Sequence, residues 1–294
     1  MKTAIVFSGQ GSQSVSMGFD FYKDFPQAQE VFEEVDETLQ FPLSRLMFAG
    51  PAEKLNQTQY SQPALMTLSM AIWRVVRPTC QFMAGHSLGE YTALCAAQAL
   101  SLKDTARLLW KRGQAFSSVQ GSMLVLLGVP LEKAQEIAHQ SQTFVANENS
   151  ALQIVISGTK ENIEKAEALA KSLGAKHTVI LPVSGPFHSP LMKPAQETMA
   201  PVIENVDMKM PCVPVVSNVT AQLITNPAEI KENLVKQIVS PVRWQACVQN
   251  LVEQGVEQFI ELGAGRVLTG LIKRINPDVK TCSISNVKDL DNLL

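Results

Sequence analysis

A serine stands at the centre of Gly85-His86-Ser87-Leu88-Gly89, the spacing of a nucleophile elbow. The pattern becomes chemistry only in the right setting: a buried strand before it, a helix after it, and a turn tight enough to hold the hydroxyl out toward a substrate. Residues 81–84 are a short apolar run, and residues 90–100 carry Ala93, Ala96, Ala97 and Ala99, which are strong helix formers. Gly85 and Gly89 omit side chains that would collide in such a turn. The N–H of Leu88 would then project from the helix N-terminus toward an oxyanion formed on the substrate of Ser87. A glycine-flanked surface turn shares the five-residue pattern, but the strand and the small-residue helix around it favour the nucleophile.

A serine hydroxyl needs a base. The chain has four histidines. His188 lies between Pro186 and Pro190 in a fixed turn, with Ser189 placed to cap a following helix. It is either a general base or a solvent-exposed turn histidine. His139 ends a polar helical stretch and His177 opens a strand. His86 adjoins Ser87, but in an elbow its side chain points away.

Arg112 is a second candidate. At helical spacing its neighbours are Leu108, Leu109, Ala115 and Phe116, all apolar. An arginine on such a stripe must be paired or must serve a ligand, and its planar fork matches a carboxylate. An internal ion pair or a snorkelling side chain would meet the same constraint. Near the start, residues 9–13 form the loop Gly-Gln-Gly-Ser-Gln. Two glycines around Gln10 allow close backbone approach to a ligand, offering a second oxyanion donor, and an ordinary strand-to-helix turn would look alike. The loop matches neither a P-loop nor G-x-G-x-x-G. Gln62 precedes an apolar helix predicted over residues 63–76, which it could cap or leave to face a site, the structural role being favoured.

These groups require an α/β framework. Buried strands are expected over residues 3–7, 81–84, 214–217 and 258–262, with helices over 26–39, 63–76, 102–119 and 267–275. Ser101 and Asp104 form a capping box for the third of these helices. Between residues 121 and 184 the pattern changes to βαββαβ, the order of a ferredoxin-like unit. The reading is therefore a large catalytic subdomain made of residues 1–120 and 185–294, interrupted by a small subdomain at 121–184. Gln237 lies in a segment, 234–244, that breaks at Ser240-Pro241.

The totals exclude several classes. Hydrophobic residues make up 46% and charged residues 18%, enough for a large core. The formal charge of −2 gives no basic footprint for nucleic acid. Five cysteines, odd in number and without a C-x-x-C pair, argue against a disulfide framework or zinc site and for a reducing, cytoplasmic setting. The N-terminus is too short for a signal-peptide core, and the most apolar stretch, 65–76, is too short to span a bilayer.

Taken in order, Gly9-Gln10-Gly11-Ser12-Gln13, Gln62-Pro63-Ala64, the elbow with Glu90, Arg112-Gly113, Pro186-Phe187-His188-Ser189, Pro241-Val242-x-Trp244 and Glu261-Leu262-Gly263 resemble malonyl-CoA:acyl carrier protein transacylases of the acyltransferase family along nearly the whole chain. The resemblance implies an α/β-hydrolase-like large subdomain with a parallel sheet and a ferredoxin-like insert. It implies Ser87 as nucleophile and His188 as base, working as a pair without a third acid. It also implies an oxyanion hole from the N–H groups of Gln10 and Leu88, and a Gln237 carbonyl orienting the histidine. Arg112 would hold the malonyl carboxylate, with Phe187 and Gln62 also on the substrate side. In related acyltransferases a phenylalanine just before the histidine accompanies malonyl preference over methylmalonyl. The partner would be an acyl carrier protein and the acyl donor a coenzyme A thioester, in fatty acid biosynthesis. No metal or bound cofactor, no membrane, and a monomer are expected. An acyltransferase serving a polyketide synthase, or a serine thioesterase or esterase, are the alternatives. An arginine on an apolar face speaks for a carboxylated acyl group and against a plain esterase. Three stretches, in loops and the insert, depart from the family pattern: Gln120-Gly121-Ser122-Met123, Asn147-Glu148-Asn149 and Gly263-Ala264-Gly265.

Overall fold

The computed structural model describes residues 1–293. Ten strands are present among them: β1 (Thr3–Phe7), β2 (Phe82–Gly85), β3 (Ser122–Leu127), β4 (Phe144–Ser150), β5 (Gln153–Gly158), β6 (His177–Ile180), β7 (Val215–Val216), β8 (Leu223–Ile224), β9 (Gln258–Leu262) and β10 (Lys280–Ile284). They form two sheets. The larger has the order β10-β9-β1-β2-β7-β8, parallel except for the antiparallel edge strand β8.

Strand β1 is buried along its whole length, because helices cover both faces of a parallel sheet. Side chains alternate across the sheet. Ile5, Phe7 and Met83 enter the core shared with the helix Thr58–Val76, whereas Ala4, Val6, Phe82 and Ala84 pack on the other face with Trp244, Val248 and Leu271. Loops leaving the carboxyl ends of adjacent parallel strands converge on one edge, where α/β proteins usually bind ligands. Here the converging loops follow β1, β2, β7 and β9, and they carry Gln10, Ser87, Asn218 and Gly263.

The smaller sheet is antiparallel, with the order β4-β5-β3-β6, and the chain runs βαββαβ through it. Leu124, Leu126, Ile154 and Ile156 face its own two helices, Leu131–Ser141 and Lys160–Ser172. Met123, Val125 and Val155, on the opposite face, turn toward the large sheet and line the cleft between the two. A main-chain link ties the smaller sheet to the segment just before the helix Trp244–Glu253: Val242 N–H donates to Ala146 and Glu148 N–H donates to Val242, each at 2.9 Å.

The helices Pro26–Leu39 and Val267–Ile275 have the predicted bounds. Another expectation fails at its start. The helix predicted from residue 63 begins at Thr58 and carries Pro63 inside it. Gln62 is therefore a helical residue one turn in, not a residue ahead of the helix. Pro63 lacks the N–H that would reach the Gln59 carbonyl, a loss confined to one position near the start of a long buried helix.

Candidate active site

The elbow joins β2 to the helix Leu88–Ala96. Ser87 has φ 55° and ψ −108°, a conformation that a non-glycine residue holds only when its surroundings impose it. The packing behind it is close. A Cβ on Gly85 would overlap the Gly89 carbonyl, and one on Gly89 would overlap the Phe7 carbonyl. Asn218 ties the strained turn down, its Oδ1 accepting from Ser87 N–H at 2.8 Å and its Nδ2 donating to the Gly85 carbonyl at 2.7 Å.

His188 meets Ser87 from across the molecule, with 2.8 Å between Ser87 Oγ and His188 Nε2. It is no exposed turn residue, for only 4% of its surface is accessible. Its φ of 58° is a second left-handed conformation in the site. The ring's Nδ1 lies 2.9 Å from the Gln237 carbonyl, which can only accept. That contact places the proton on Nδ1 and leaves the Nε2 lone pair facing the serine. Burial first, and the neighbouring Arg112 second, hold the imidazole's pKa down to about 3. It is neutral at physiological pH, the form a general base requires.

Arg112 projects from the helix Leu102–Ser117 and is 1% exposed. Gly113 lets this helix press against Thr58–Val76, since a Cβ there would stand 2.6 Å from Gln59 Cα. The approach brings Arg112 Nη1 to Gln62 Oε1 at 2.8 Å, and Nη2 to both Ser87 Oγ and Gln237 Oε1 at 3.0 Å. Its guanidinium lies 4.0 Å from the centre of the Phe116 ring, a cation–π contact, and Nε has no partner. Burial lowers its pKa to about 10, so it stays charged at neutral pH. Neither of the internal roles open from sequence describes it: its hydrogen-bond partners are neutral oxygens, not a carboxylate, and its head is not in water.

A cleft of about 270 Å³ runs between the two sheets, and Gln10, Gln62, Leu88, Arg112 and Phe187 line it with the Ser87–His188 pair. Phe187 packs edge-on against Phe116 with ring centres 4.9 Å apart. The N–H groups of Gln10 and Leu88 donate to no protein group among the described residues, and both belong to the cleft wall beside Ser87. Gln237 lies just behind that wall. The arrangement can therefore form an acyl-serine, hold an oxyanion and fix an anionic substituent close to the reacting centre.

Two groups have roles that the sequence left unread. Asn218 carries no motif, and its only signal was its place at the carboxyl end of a buried strand. Glu90 is fully buried beneath the elbow, with its pKa raised by burial to about 7. His86, as its place in the elbow required, turns away from Ser87 and makes a 2.9 Å hydrogen bond with Asn149 of β4. Among the described residues no cluster of three or more His, Cys, Asp or Glu side chains could hold a metal ion.

Residues 4–287 match the family described as the acyl transferase domain. A malonyl CoA-acyl carrier protein transacylase of Bacillus subtilis (strain 168) is 44% identical over 302 residues, covering 99% of this chain and 95% of that protein. An acyl-carrier-protein-S-malonyltransferase crystal structure from Bartonella henselae superposes with a TM-score of 0.96 at 42% identity, over 100% of this chain and 98% of that one. A malonyl-transacylase solved in complex with a type II PKS acyl-carrier protein also reaches 0.96, at 39% identity, over 100% of this chain and 99% of that one.

Proposed function

The chain belongs to the acyl transferase family, and from that premise we infer that it transfers a malonyl group from malonyl-CoA to the phosphopantetheine thiol of an acyl carrier protein, a step of fatty acid biosynthesis. The observation that carries this reading is Arg112, a buried cation 3.0 Å from Ser87 Oγ with only neutral oxygens as hydrogen-bond partners. An acyl group bearing a carboxylate would give it a direct ionic partner in the cleft, which a plain ester would not, since the Glu90 carboxyl reaches it only through Gln237.

The chemistry is two acyl transfers through one covalent intermediate. His188 Nε2 takes the Ser87 proton as Oγ attacks the thioester carbon. The N–H groups of Gln10 and Leu88 stabilise the oxyanion. The carbon–sulfur bond breaks, and coenzyme A leaves as a thiol with the proton from His188. The phosphopantetheine thiol then gives its proton to His188 and attacks the malonyl-serine ester. The tetrahedral adduct collapses, and Ser87 Oγ recovers a proton as it departs. The Gln237 carbonyl holds the imidazole through both cycles without a third acid. Gln62 shares the grip on Arg112, and Phe187 limits the space beside the α-carbon.

Coenzyme A and the phosphopantetheine arm are substrates in this scheme, and it calls on no resident cofactor. One chain supplies every group named, so a monomer is sufficient for this chemistry. No helix among the described residues is long and apolar enough to cross a membrane, and five free cysteines fit a cytoplasmic setting. The test is incubation with malonyl-CoA followed by intact-protein mass spectrometry, then addition of a holo acyl carrier protein. A malonyl adduct that moves to the carrier is expected. Release of free malonate without transfer would make the protein a thioesterase and overturn the proposal.

A further inference from the structure

Glu90 has no place in that mechanism, yet it is a carboxyl group with no solvent exposure, three residues after the nucleophile. Its Oε2 accepts from Gln237 Nε2 at 2.6 Å and from Asn218 N–H at 3.2 Å, and its Oε1 has no partner. These two neighbours touch nearly everything in the site. Asn218 holds Ser87 N–H and the Gly85 carbonyl. Gln237 presents its main-chain carbonyl to His188 Nδ1 and its amide oxygen to Arg112 Nη2.

The chemistry of the partners fixes the Gln237 amide. A guanidinium only donates, so the amide oxygen must face Arg112 and the amide nitrogen must face the elbow. Three acceptors meet that nitrogen: Glu90 Oε2 at 2.6 Å, the Ser87 carbonyl at 3.1 Å and Asn218 Oδ1 at 3.4 Å. The carboxyl contact is the shortest, and it is the one that accepts from Gln237 and Asn218 together. Buried hydrogen bonds to a charged or titratable group are stronger than neutral ones and leave a larger penalty when broken.

We infer that Glu90 is a positioning residue: through Gln237 it holds Arg112 in the pose that receives the malonyl carboxylate, and through Gln237 and Asn218 it links that pose to the elbow. Resting on the malonyl-transfer reading above, this makes selection of a carboxylated acyl group depend on a side chain that touches no substrate. Acceptor capacity, not charge, is what the position requires. A glutamine oxygen can take the place of Oε2, and its NH2 would replace an atom that already lacks a partner.

The test compares Glu90→Gln and Glu90→Met for serine acylation by malonyl-CoA and by acetyl-CoA, with thermal melts alongside. Both variants are expected to melt lower than the wild type. In Glu90→Met the malonyl-to-acetyl ratio of kcat/KM should fall by about tenfold, mostly through KM for malonyl-CoA. In Glu90→Gln the ratio should stay within about threefold of wild type. A purely structural Glu90 predicts equal losses for both thioesters in both variants, and that result overturns the inference, as does a ratio that falls alike in Gln and Met. Should Glu90→Met fail to fold, Gln237→Leu removes the same link while keeping the main-chain carbonyl. An unchanged ratio there would equally overturn it. Failure of the malonyl reading itself is separate, because the wild type would then show no preference for malonyl-CoA.

Discussion

Arg112 Nη2 donates to Ser87 Oγ across 3.0 Å, so the cation that would bind the substrate's carboxylate also polarises the hydroxyl that would attack its thioester. The same oxygen lies 2.8 Å from His188 Nε2. Base and cation thus converge on one atom, and substitutions at the three residues separate their contributions.

Ser87→Ala should abolish the covalent malonyl adduct while leaving the melting temperature near that of the wild type, read by intact-protein mass spectrometry. His188→Ala should slow acylation by roughly 10²–10⁴-fold, the scale of a lost general base. A persisting adduct in the serine variant would remove Ser87 from the reaction.

Arg112→Ala should lower malonyl transfer at least tenfold, the effect of losing a charge-assisted contact on the order of 1.5–3 kcal/mol. Acetyl transfer should fall much less, though the loss of the Ser87 contact makes some decline expected. The variant should also melt lower, because the oxygens of Gln62 and Gln237 lose their donor. Arg112→Lys should restore only part of the malonyl rate, an ammonium being unable to reproduce the fork. Parallel kinetics with both thioesters check this, and an unchanged ratio in folded Arg112→Ala would sink it.

The depressed His188 has two consequences for pH. Burial holds its imidazole down to about 3 from an ordinary 6.5, so kcat/KM for acylation should keep its neutral base well below pH 6.5. For stability, the unfolded chain gains a proton below pH 6.5 that the folded chain refuses until about pH 3. The contribution is present above pH 6.5 and is lost as pH falls from there toward 3. Glu90 acts in the opposite sense, since its pKa rises from 4.5 to about 7 and the stability it contributes fades as pH climbs through that window. Urea melts of wild type and His188→Gln isolate the first effect. Between pH 7 and 4 the wild type should lose more stability than the variant, and equal slopes would contradict the assignment.

Phe187 is 7% exposed and wedged against Phe116. The wild type should prefer malonyl-CoA to methylmalonyl-CoA, and Phe187→Ser should erode that preference by about 1–3 kcal/mol, the range for one methyl group in a tight pocket. Competition assays with both thioesters decide. Equal specificity constants in the wild type would refute the idea.

Much of the framework was readable because buried parallel strands and amphipathic helices leave periodic signatures. Residues 3–7 and 258–262 were legible as apolar runs, and the βαββαβ order of the smaller sheet could be read from alternating short elements. Strands β8 and β10 were not foreseen. The first is two residues long, and the second is half-buried at a sheet edge, so neither carries a strong pattern. The start of the helix Thr58–Val76 was misplaced because Pro63 reads as a boundary, although it lies only one turn inside. Within the site, the elbow and Arg112 stood out by local sequence. The meeting of Ser87 with His188 could not, since 101 residues separate them and the contact is made only in the folded chain, where the Gln237 carbonyl holds the imidazole. Glu90 was hidden for a different reason. An acid in the first turn of a helix is ordinary, and nothing local reveals that this one is buried beneath the serine.

The link from the smaller sheet to Val242 also gives the molecule a built-in probe of its own cohesion. Val242 and Glu148 carry the only main-chain N–H groups among the described residues that bond the smaller sheet to the segment entering the helix Trp244–Glu253, and His86 reaches Asn149 beside them. Any separation of these two segments breaks both bonds at once, so the two amides should take up solvent deuterium in step. Their shared protection would measure how firmly the smaller sheet is moored to the rest of the chain, independently of any turnover.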